Sequence, residues 1–193
     1  MNKKYMALDT ETSGFKPGQI CQLSYIIFDE DFKILKTFNQ YFVVESVDEG
    51  ASNVHGLTVE KLEKLSNGKI FKDIFAEFLS DIIEMDRIFI HNSPFDIGFI
   101  NAELSRLGIA FDFAKAFCTM RYHVNICKLP GKGRDGEDYK WPKLSEVLEH
   151  YNIQDVTVKS CEEIYQCEEI SFHDARFDVV SLYEICKCMK LNS

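Results

Sequence analysis

The sequence predicts an α/β protein whose mixed five-stranded sheet combines an antiparallel meander of three strands with parallel strands and carries flanking helices. Three strand-like stretches open the chain, and short apolar runs then alternate with segments of helical spacing. Consecutive strands followed by alternating strands and helices are typical of such a sheet. With 193 residues, 46% of them hydrophobic, the chain can form one domain over residues 1–193.

The first half of the chain contains the predicted meander, at about residues 5–9, 20–29 and 34–44. The polar residues 45–53 are predicted to connect elements across the surface. Thr58 is a candidate N-cap of a short helix that ends near residue 65, because its hydroxyl can accept a first-turn N–H. Apolar residues at helical spacing predict one helix over residues 71–85.

The second half alternates between strands and helices. Strands are predicted at 87–91 and 116–118. Pro94 suits the first turn of a helix that runs to Leu107, because proline is favoured at that position. Further helices are predicted at 119–126, 144–151, partly within 156–170, and at 174–189, and residues 128–143 form a loop rich in glycine, proline and charge.

Charge and apolar content limit the partners and the location. A net charge of −9 counts against a nucleic-acid partner. Metal ions bound by clustered carboxylates would, however, reverse the local electric field. The longest apolar runs have the length of strands, and Met1–Lys4 lacks the apolar stretch of a secretion signal. The expected location is therefore cytoplasmic, without contact with a membrane.

The seven cysteines are odd in number and contain no Cys-x-x-Cys pair, which favours reduced thiols in a cytosolic protein. Four of them lie near His173 in the last third of the chain, but their spacing matches no zinc site. Small buried apolar side chains are the expected role.

Two carboxylates near the N-terminus are the first candidate site. Side chains alternate along a strand, so Asp9 and Glu11 would share a face with Cα atoms about 7 Å apart. Like charges at that separation raise each other's pKa unless a cation lies between them, and hard divalent cations prefer oxygen ligands. The alternative is a solvated acidic strand end.

Two further acidic positions follow in the chain. Asp96 comes just after the strand predicted at 87–91, where its simplest role is a charge at a helix N-terminus. His173 and Asp178 are five residues apart at the start of the last helix, so both side chains can face one cleft. Asp174 can serve as the N-cap there, and His173 taken alone could be a surface residue.

In this order, the acidic positions resemble the DEDDh group of 3′→5′ exonucleases, which are DnaQ-like and include the bacterial replicative proofreading subunit, ribonuclease T and oligoribonuclease. The resemblance runs from residue 5 to about residue 190 and implies a ribonuclease H-like sheet. Its motifs are the segments DTETSGF at 9–15, NVHGLT at 53–58, HNSPFD at 91–96 and HDARFD at 173–178.

Residues 139–144 are similar to phage-type members of the family. Two features depart from the family pattern. The segment at 153–172 is longer than usual, and the chain ends soon after the last predicted helix, without the tail by which the proofreading subunit binds its polymerase. A stand-alone exonuclease is therefore expected, and a polymerase partner in trans and the oligomeric state stay open.

The resemblance implies hydrolysis of phosphodiesters from the 3′ end of nucleic acid, with release of nucleoside monophosphates. Single-stranded DNA is the favoured substrate and RNA the other. Two divalent cations, Mg²⁺ or Mn²⁺, are implied: Asp9 bridges both, Glu11 and Asp178 hold the ion on the nucleophile side, and Asp96 acts directly or through water. His173 is implied as the general base, and an ordinary pKa of about 6.5 suits that task.

By the same resemblance, Thr12, Phe15, His55 and Phe95 line a pocket for the terminal nucleotide, although Phe95 could equally be a core residue. The loop at 128–143 carries five positive and three negative residues, and could follow a phosphate backbone or be a solvated loop.

Two other function classes remain. One is a phosphatase or phosphotransferase that uses the nucleophilic aspartate of an Asp-x-Asp motif. Here Glu11 stands where that motif has its second aspartate. The other is an inactive nucleic-acid-binding module of the same fold, although all five candidate active-site residues are present.

Overall fold

A central strand, β1 (Lys4–Thr12), carries the sheet, which the computed structural model describes within residues 2–133, 138–166 and 172–189. The other strands are β2 (Ile20–Asp29), β3 (Ile34–Tyr41), β4 (Arg87–Ile90) and β5 (Ala116–Cys118). The order across the sheet is β3-β2-β1-β4-β5. β1, β2 and β3 are antiparallel neighbours, whereas β4 and β5 continue the sheet in parallel. The predicted mixed sheet is confirmed.

Helices cover both faces of this sheet. They are α1 (Glu49–His55), α2 (Val59–Leu65), α3 (Phe75–Ile83), α4 (Ser93–Arg106), α5 (Thr119–Cys127), α6 (Leu144–Tyr151), α7 (Gln154–Tyr165) and α8 (Ala175–Cys188). In the described ranges, none of these helices combines the length and apolar content of a membrane span.

Alternation along β1 divides the core in two. Met6 and Leu8 point into a cluster that contains the buried side of α4, whereas Tyr5 and Ala7 point into a cluster that contains the buried side of α8. α4 and α8 therefore lie on opposite faces of the same strand. The first residues of both helices lie beside the C-terminal end of β1, where the acidic motif stands.

Residues 45–53 are predicted to connect elements across the surface, and the structure adds that the second part of this connection is helical, because α1 begins at Glu49. The sequence there has no apolar periodicity. Long-range hydrogen bonds hold the segment instead: the Asp48 N–H donates to the Ser13 carbonyl at 2.8 Å, and the His55 ring is bonded to the Thr12 carbonyl at 3.0 Å.

The single helix expected over residues 71–85 is divided. A 3₁₀ turn at Phe71–Asp73 comes first, and α3 begins after Ile74, whose ψ of −8° and φ of −120° are not helical. The Asp73 carboxylate accepts the Ile70 N–H at 2.9 Å and so caps the 3₁₀ turn separately. Helical spacing of apolar residues continues across the break, which is why the sequence suggested one helix.

The predicted helix starts agree with the structure. Thr58 Oγ1 accepts the Lys61 N–H at 3.3 Å, and Pro94 lies in the first turn of α4. Asp174 caps α8 by accepting the Arg176 N–H at 3.0 Å. The burial expected for the cysteines holds for Cys21, Cys161 and Cys186, whereas Cys118, Cys127 and Cys188 are only partly buried. Cys167 and the loop residue Arg134 lie outside the described residues.

Candidate functional site

Three carboxylates meet at the C-terminal end of β1. Asp9 and Glu11 continue the face of the strand that packs against α8, and Asp178 projects from the first turn of that helix. One carboxylate oxygen from each residue lies within 4.8 Å of the other two. The shared face predicted for Asp9 and Glu11 is therefore present, and α8 supplies the third group.

The electrostatics of this cluster are unfavourable without a cation. Burial raises the pKa of Asp9 and of Glu11 well above the usual carboxylate range, and the nearby Asp178 raises both further. Burial also raises the pKa of Asp178 to about 8, against the effect of the His173 N–H that donates to its carboxylate. Such mutual shifts are typical of functional sites.

The donor set fits a divalent metal ion. All three groups offer hard oxygen ligands, which Mg²⁺ and Mn²⁺ prefer. Asp178 Oδ1 is buried and, among the described residues, has no hydrogen-bond partner. A buried acceptor without a donor costs free energy, and a bound cation would remove that cost.

Asp96 approaches from the opposite side of β1. It lies in the first turn of α4, and its Oδ1 accepts both the N–H and the hydroxyl of Thr10, at 3.0 and 2.8 Å. Burial raises its pKa to about 7, although these two hydrogen bonds act in the other direction. Asp96 adds to the negative potential at Asp9 but stands outside the group of three converging carboxylates.

His173 precedes α8 in a left-handed conformation, with φ of +67°. Its N–H donates to Asp178 Oδ2 at 3.2 Å, which ties the histidine to the metal-ligand candidate. Partial burial lowers the pKa of His173 below 6.5, and the charge of Lys143 lowers it further. The imidazole is therefore neutral at neutral pH. It borders two clefts, a smaller and a larger one, that lie on the two sides of the carboxylates.

Gln22 is a site residue that the sequence reasoning missed. It is 1% exposed and stands opposite Glu11 in the β1–β2 register. Its amide donates to Asp174 Oδ1 at 3.0 Å and accepts the Ala175 N–H at 3.2 Å, so it positions the start of α8. A lone glutamine within the apolar strand 20–29 was the available signal, because a buried amide needs partners.

The smaller of the two clefts, about 260 Å³, brings together all four residues expected to bind the terminal nucleotide. The Leu57 N–H donates to His55 Nδ1 at 3.0 Å, so Nε2 carries the proton and donates to the Thr12 carbonyl. Thr12 Oγ1 in turn donates to the Gly14 carbonyl at 2.9 Å. The β1–α1 corner is therefore rigidly held.

Two aromatic rings border this smaller cleft. Phe15 is 64% exposed and lies over Gly50, where a Cβ would come within 2.8 Å of its ring, so glycine permits the contact. Phe95 is partly buried and packs on Phe99, with ring centroids 5.0 Å apart. Phe95 thus serves the core and the cleft at once, which joins the two roles that its sequence context left open.

The larger cleft, about 560 Å³, lies on the other side of the same carboxylates. Its walls come from the loop before α6 and from the residues before α8. It is lined by Lys132, Lys140, Trp141, Pro142, Lys143, Leu144, Ser145, Phe172, Met120, Asn92, His91, Asp9, His173 and Asp178.

His91 fixes one wall of this larger cleft. Its Nε2 lies 3.0 Å from the Pro142 carbonyl, which can only accept, so Nε2 carries the proton. The Thr119 hydroxyl lies 3.1 Å from Nδ1. Burial lowers the pKa of His91 to about 4, which keeps the ring neutral. The sequence signals for this role were its place directly after β4 and at the start of the HNSPFD motif.

Residues 6–160 match the family model described as Exonuclease, of the RNase T type. The chain is 33% identical over 140 residues to the DNA polymerase III subunit epsilon of Buchnera aphidicola subsp. Acyrthosiphon pisum (strain APS), a match that covers 67% of this chain and 57% of that protein. This chain therefore spans little more than half of that relative.

Solved structures share the fold. The nuclease domain of 3′hExo, a DEDDh family member bound to rAMP, superposes with a TM-score of 0.65 at 15% identity and covers 97% of this chain and 92% of that one. E. coli exonuclease I in complex with a dT13 oligonucleotide superposes with a TM-score of 0.69 at 16% identity, over 98% of this chain and 41% of that one.

Proposed function

This chain belongs to the exonuclease family, and from that membership we propose that it is a metal-dependent 3′→5′ exonuclease of the DEDDh type. The convergence of Asp9, Glu11 and Asp178 between two clefts carries this proposal. The smaller cleft would hold the nucleotide that is cleaved off, and the larger cleft would hold the rest of the strand. The exonuclease domain is proposed to cover residues 1–193.

The proposed cofactors are two divalent cations, Mg²⁺ or Mn²⁺. Asp9 would contact both ions, Glu11 and Asp178 would hold the one on the nucleophile side, and Asp96 would act directly or through water. When bound, such ions stabilise the negative charge that develops on the phosphate oxygens. The raised pKa values of the carboxylates support this assignment, because the cluster needs positive charge to ionise fully.

His173 is the proposed general base. Its neutral imidazole can accept a proton from the attacking water, and its hydrogen-bonded backbone keeps it next to Asp178. His173 has a left-handed backbone conformation, and the hydrogen bonds of Asp174 to Gln22 and to the first turn of α8 fix the segment beside it.

The proposed substrate is single-stranded nucleic acid with a free 3′ end. The smaller cleft would hold the terminal nucleoside, with the exposed Phe15 ring stacking on its base. Single-stranded DNA is favoured and RNA is the second candidate. E. coli exonuclease I is solved with a dT13 oligonucleotide and the 3′hExo nuclease domain with rAMP, which supports keeping both candidates.

The deciding experiment incubates 5′-labelled single-stranded DNA or RNA with the protein in Mg²⁺, in Mn²⁺ or in EDTA. We expect a ladder that shortens from the 3′ end and disappears in EDTA. Asp9→Ala should remove both cleavage and metal binding. Binding without any ladder would instead identify an inactive nucleic-acid-binding module, and an aspartyl-phosphate adduct would identify a phosphatase.

A further inference from the structure

We propose that the larger cleft binds the nucleotides immediately 5′ of the scissile linkage, with Lys132 and Lys143 contacting their phosphates. This inference rests on the proposed function and assigns a role to the loop before α6. The occupant is a single strand, whose phosphates face the lysines and whose bases face the aromatic side chains of the same cleft.

Continuity with the acidic cluster sets the direction of the strand. Both clefts share Asp9, Asp178 and His173, so the scissile phosphate would lie where they meet. If the terminal nucleoside fills the smaller cleft of about 260 Å³, the rest of the strand must leave on the other side of the carboxylates. The cleft of about 560 Å³ begins there and has room for more than one nucleotide.

The charge of the wall is opposite to that of the whole protein. The chain carries −9 overall, which gives no general attraction for nucleic acid, yet three lysines line this one cleft. Lys140 is neutralised by Glu146, whose carboxylate lies 2.5 Å from its ammonium group. Lys132 and Lys143 are exposed and, in the described residues, are not within ion-pair distance of a carboxylate, so their charge remains available.

Aromatic surface completes the recognition chemistry. Phe172 is 37% exposed, lines the cleft and packs edge-on against Phe177, which fixes the position of its ring. Trp141 also lines the cleft, and the Arg121 guanidinium lies 5.2 Å from the centre of its ring. Bases of any sequence stack on such rings, which suits an enzyme that must accept every nucleotide in turn.

The wall is positioned before any strand binds. The His91 imidazole holds the Pro142 carbonyl at 3.0 Å, and the Lys143 N–H donates to Glu146 at 2.8 Å at the start of α6. These contacts fix the lysine- and tryptophan-bearing segment relative to β4 and to the carboxylates. The cleft therefore requires little ordering of its described walls when a strand enters.

The test measures binding of a fluorescent thymidylate dodecamer with phosphorothioate linkages, in Mg²⁺, as a function of salt. Lys132→Glu should weaken binding about fivefold or more and lower the slope of log K against log salt by about 0.7, because one phosphate contact is lost. Lys132→Arg should bind like the wild-type protein. Lys64→Glu, the same charge change at an exposed position on α2, is the matched control.

Equal binding by the wild-type protein and Lys132→Glu would overturn the inference, as would an equal loss in Lys64→Glu or a blunt duplex that binds as tightly as the dodecamer. Hydrolysis of an unmodified dodecamer is measured in parallel. If the unmodified dodecamer is cleaved but binding does not depend on Lys132, the role proposed for the larger cleft is wrong and the proposed exonuclease activity stands. If binding depends on Lys132 but the unmodified dodecamer is not cleaved, the proposed exonuclease activity is wrong and the larger cleft remains a binding site for single strands.

Discussion

Asp96 Oδ1 accepts two hydrogen bonds from Thr10, one from the backbone N–H at 3.0 Å and one from the hydroxyl at 2.8 Å. Thr10 faces α4, whereas its neighbours Asp9 and Glu11 face α8. The threonine thus fastens the start of α4 to the strand that bears the metal-ligand candidates. One oxygen of Asp96 is committed to this contact, and the position of the whole carboxylate follows from it.

We expect Thr10→Val to reduce the cleavage rate about 10- to 100-fold, which is the usual effect of losing a group that orients a ligand. The variant keeps the shape of the side chain and the backbone N–H but removes the hydroxyl donor. Its control is Thr58→Val, which removes the hydroxyl that caps α2 and should cost stability, by about 1 kcal/mol, without changing the rate. Single-turnover rates and thermal unfolding of both variants give the comparison, and equal rates would contradict the role of Thr10.

Asp178→Asn should make the metal-free protein more stable near pH 8 while reducing cleavage by more than about 100-fold. The carboxylate repels its acidic neighbours, and the isosteric amide removes that repulsion. The stability difference should be smaller near pH 5, where the folded protein keeps Asp178 protonated, and should vanish only below the ordinary pKa of 3.8, where the unfolded chain is protonated as well. Thermal unfolding in EDTA at both pH values measures this, with Glu63→Gln on exposed α2 as a control. A loss of stability at pH 8 would show that the cluster is not repulsive.

The metal-free protein should lose stability as pH rises. Asp96 and Asp178 have pKa values of about 7 and about 8 in the folded state, above the ordinary 3.8, so the folded protein binds more protons than the unfolded chain between these values. Stability then falls as pH rises through that window. A cation that favours the ionised carboxylates should reverse the trend, adding about 2.7 kcal/mol at a concentration 100 times its Kd. Unfolding scans across pH with and without Mn²⁺ would contradict this if the metal effect were the same at every pH.

His173→Ala should reduce turnover by about 10²- to 10⁴-fold while metal-dependent stabilisation persists, because the imidazole is proposed to move a proton and not to hold the metal. In the wild-type protein the pKa of His173 is below 6.5, so the rate should rise with pH through a value lower than that and then level off. His150→Ala, at an exposed position on α6, is the matched control. A rate–pH profile unchanged in His173→Ala would remove the histidine from the base role.

The sequence predicted most elements because their signals are local. Thr58, Pro94 and Asp174 mark helix starts through contacts within a few residues, and all three act there in the structure. Its failures are elements that distant contacts create or divide. α1 lacks apolar periodicity and depends on bonds to the β1 corner, and Ile74 interrupts a helix without interrupting the apolar spacing.

The sequence by itself determined that Asp9 and Glu11 share a face, because side chains alternate along any strand, and that Asp96 and Asp178 each begin a helix. Only the tertiary structure decided that those two helices lie on opposite faces of β1, so that Asp178 joins the carboxylate cluster while Asp96 is held by Thr10. Local spacing carries no information about the face on which a helix packs. That choice depends on which apolar surfaces of the sheet and the helices fit together, and the same packing created the two clefts on either side of the carboxylates.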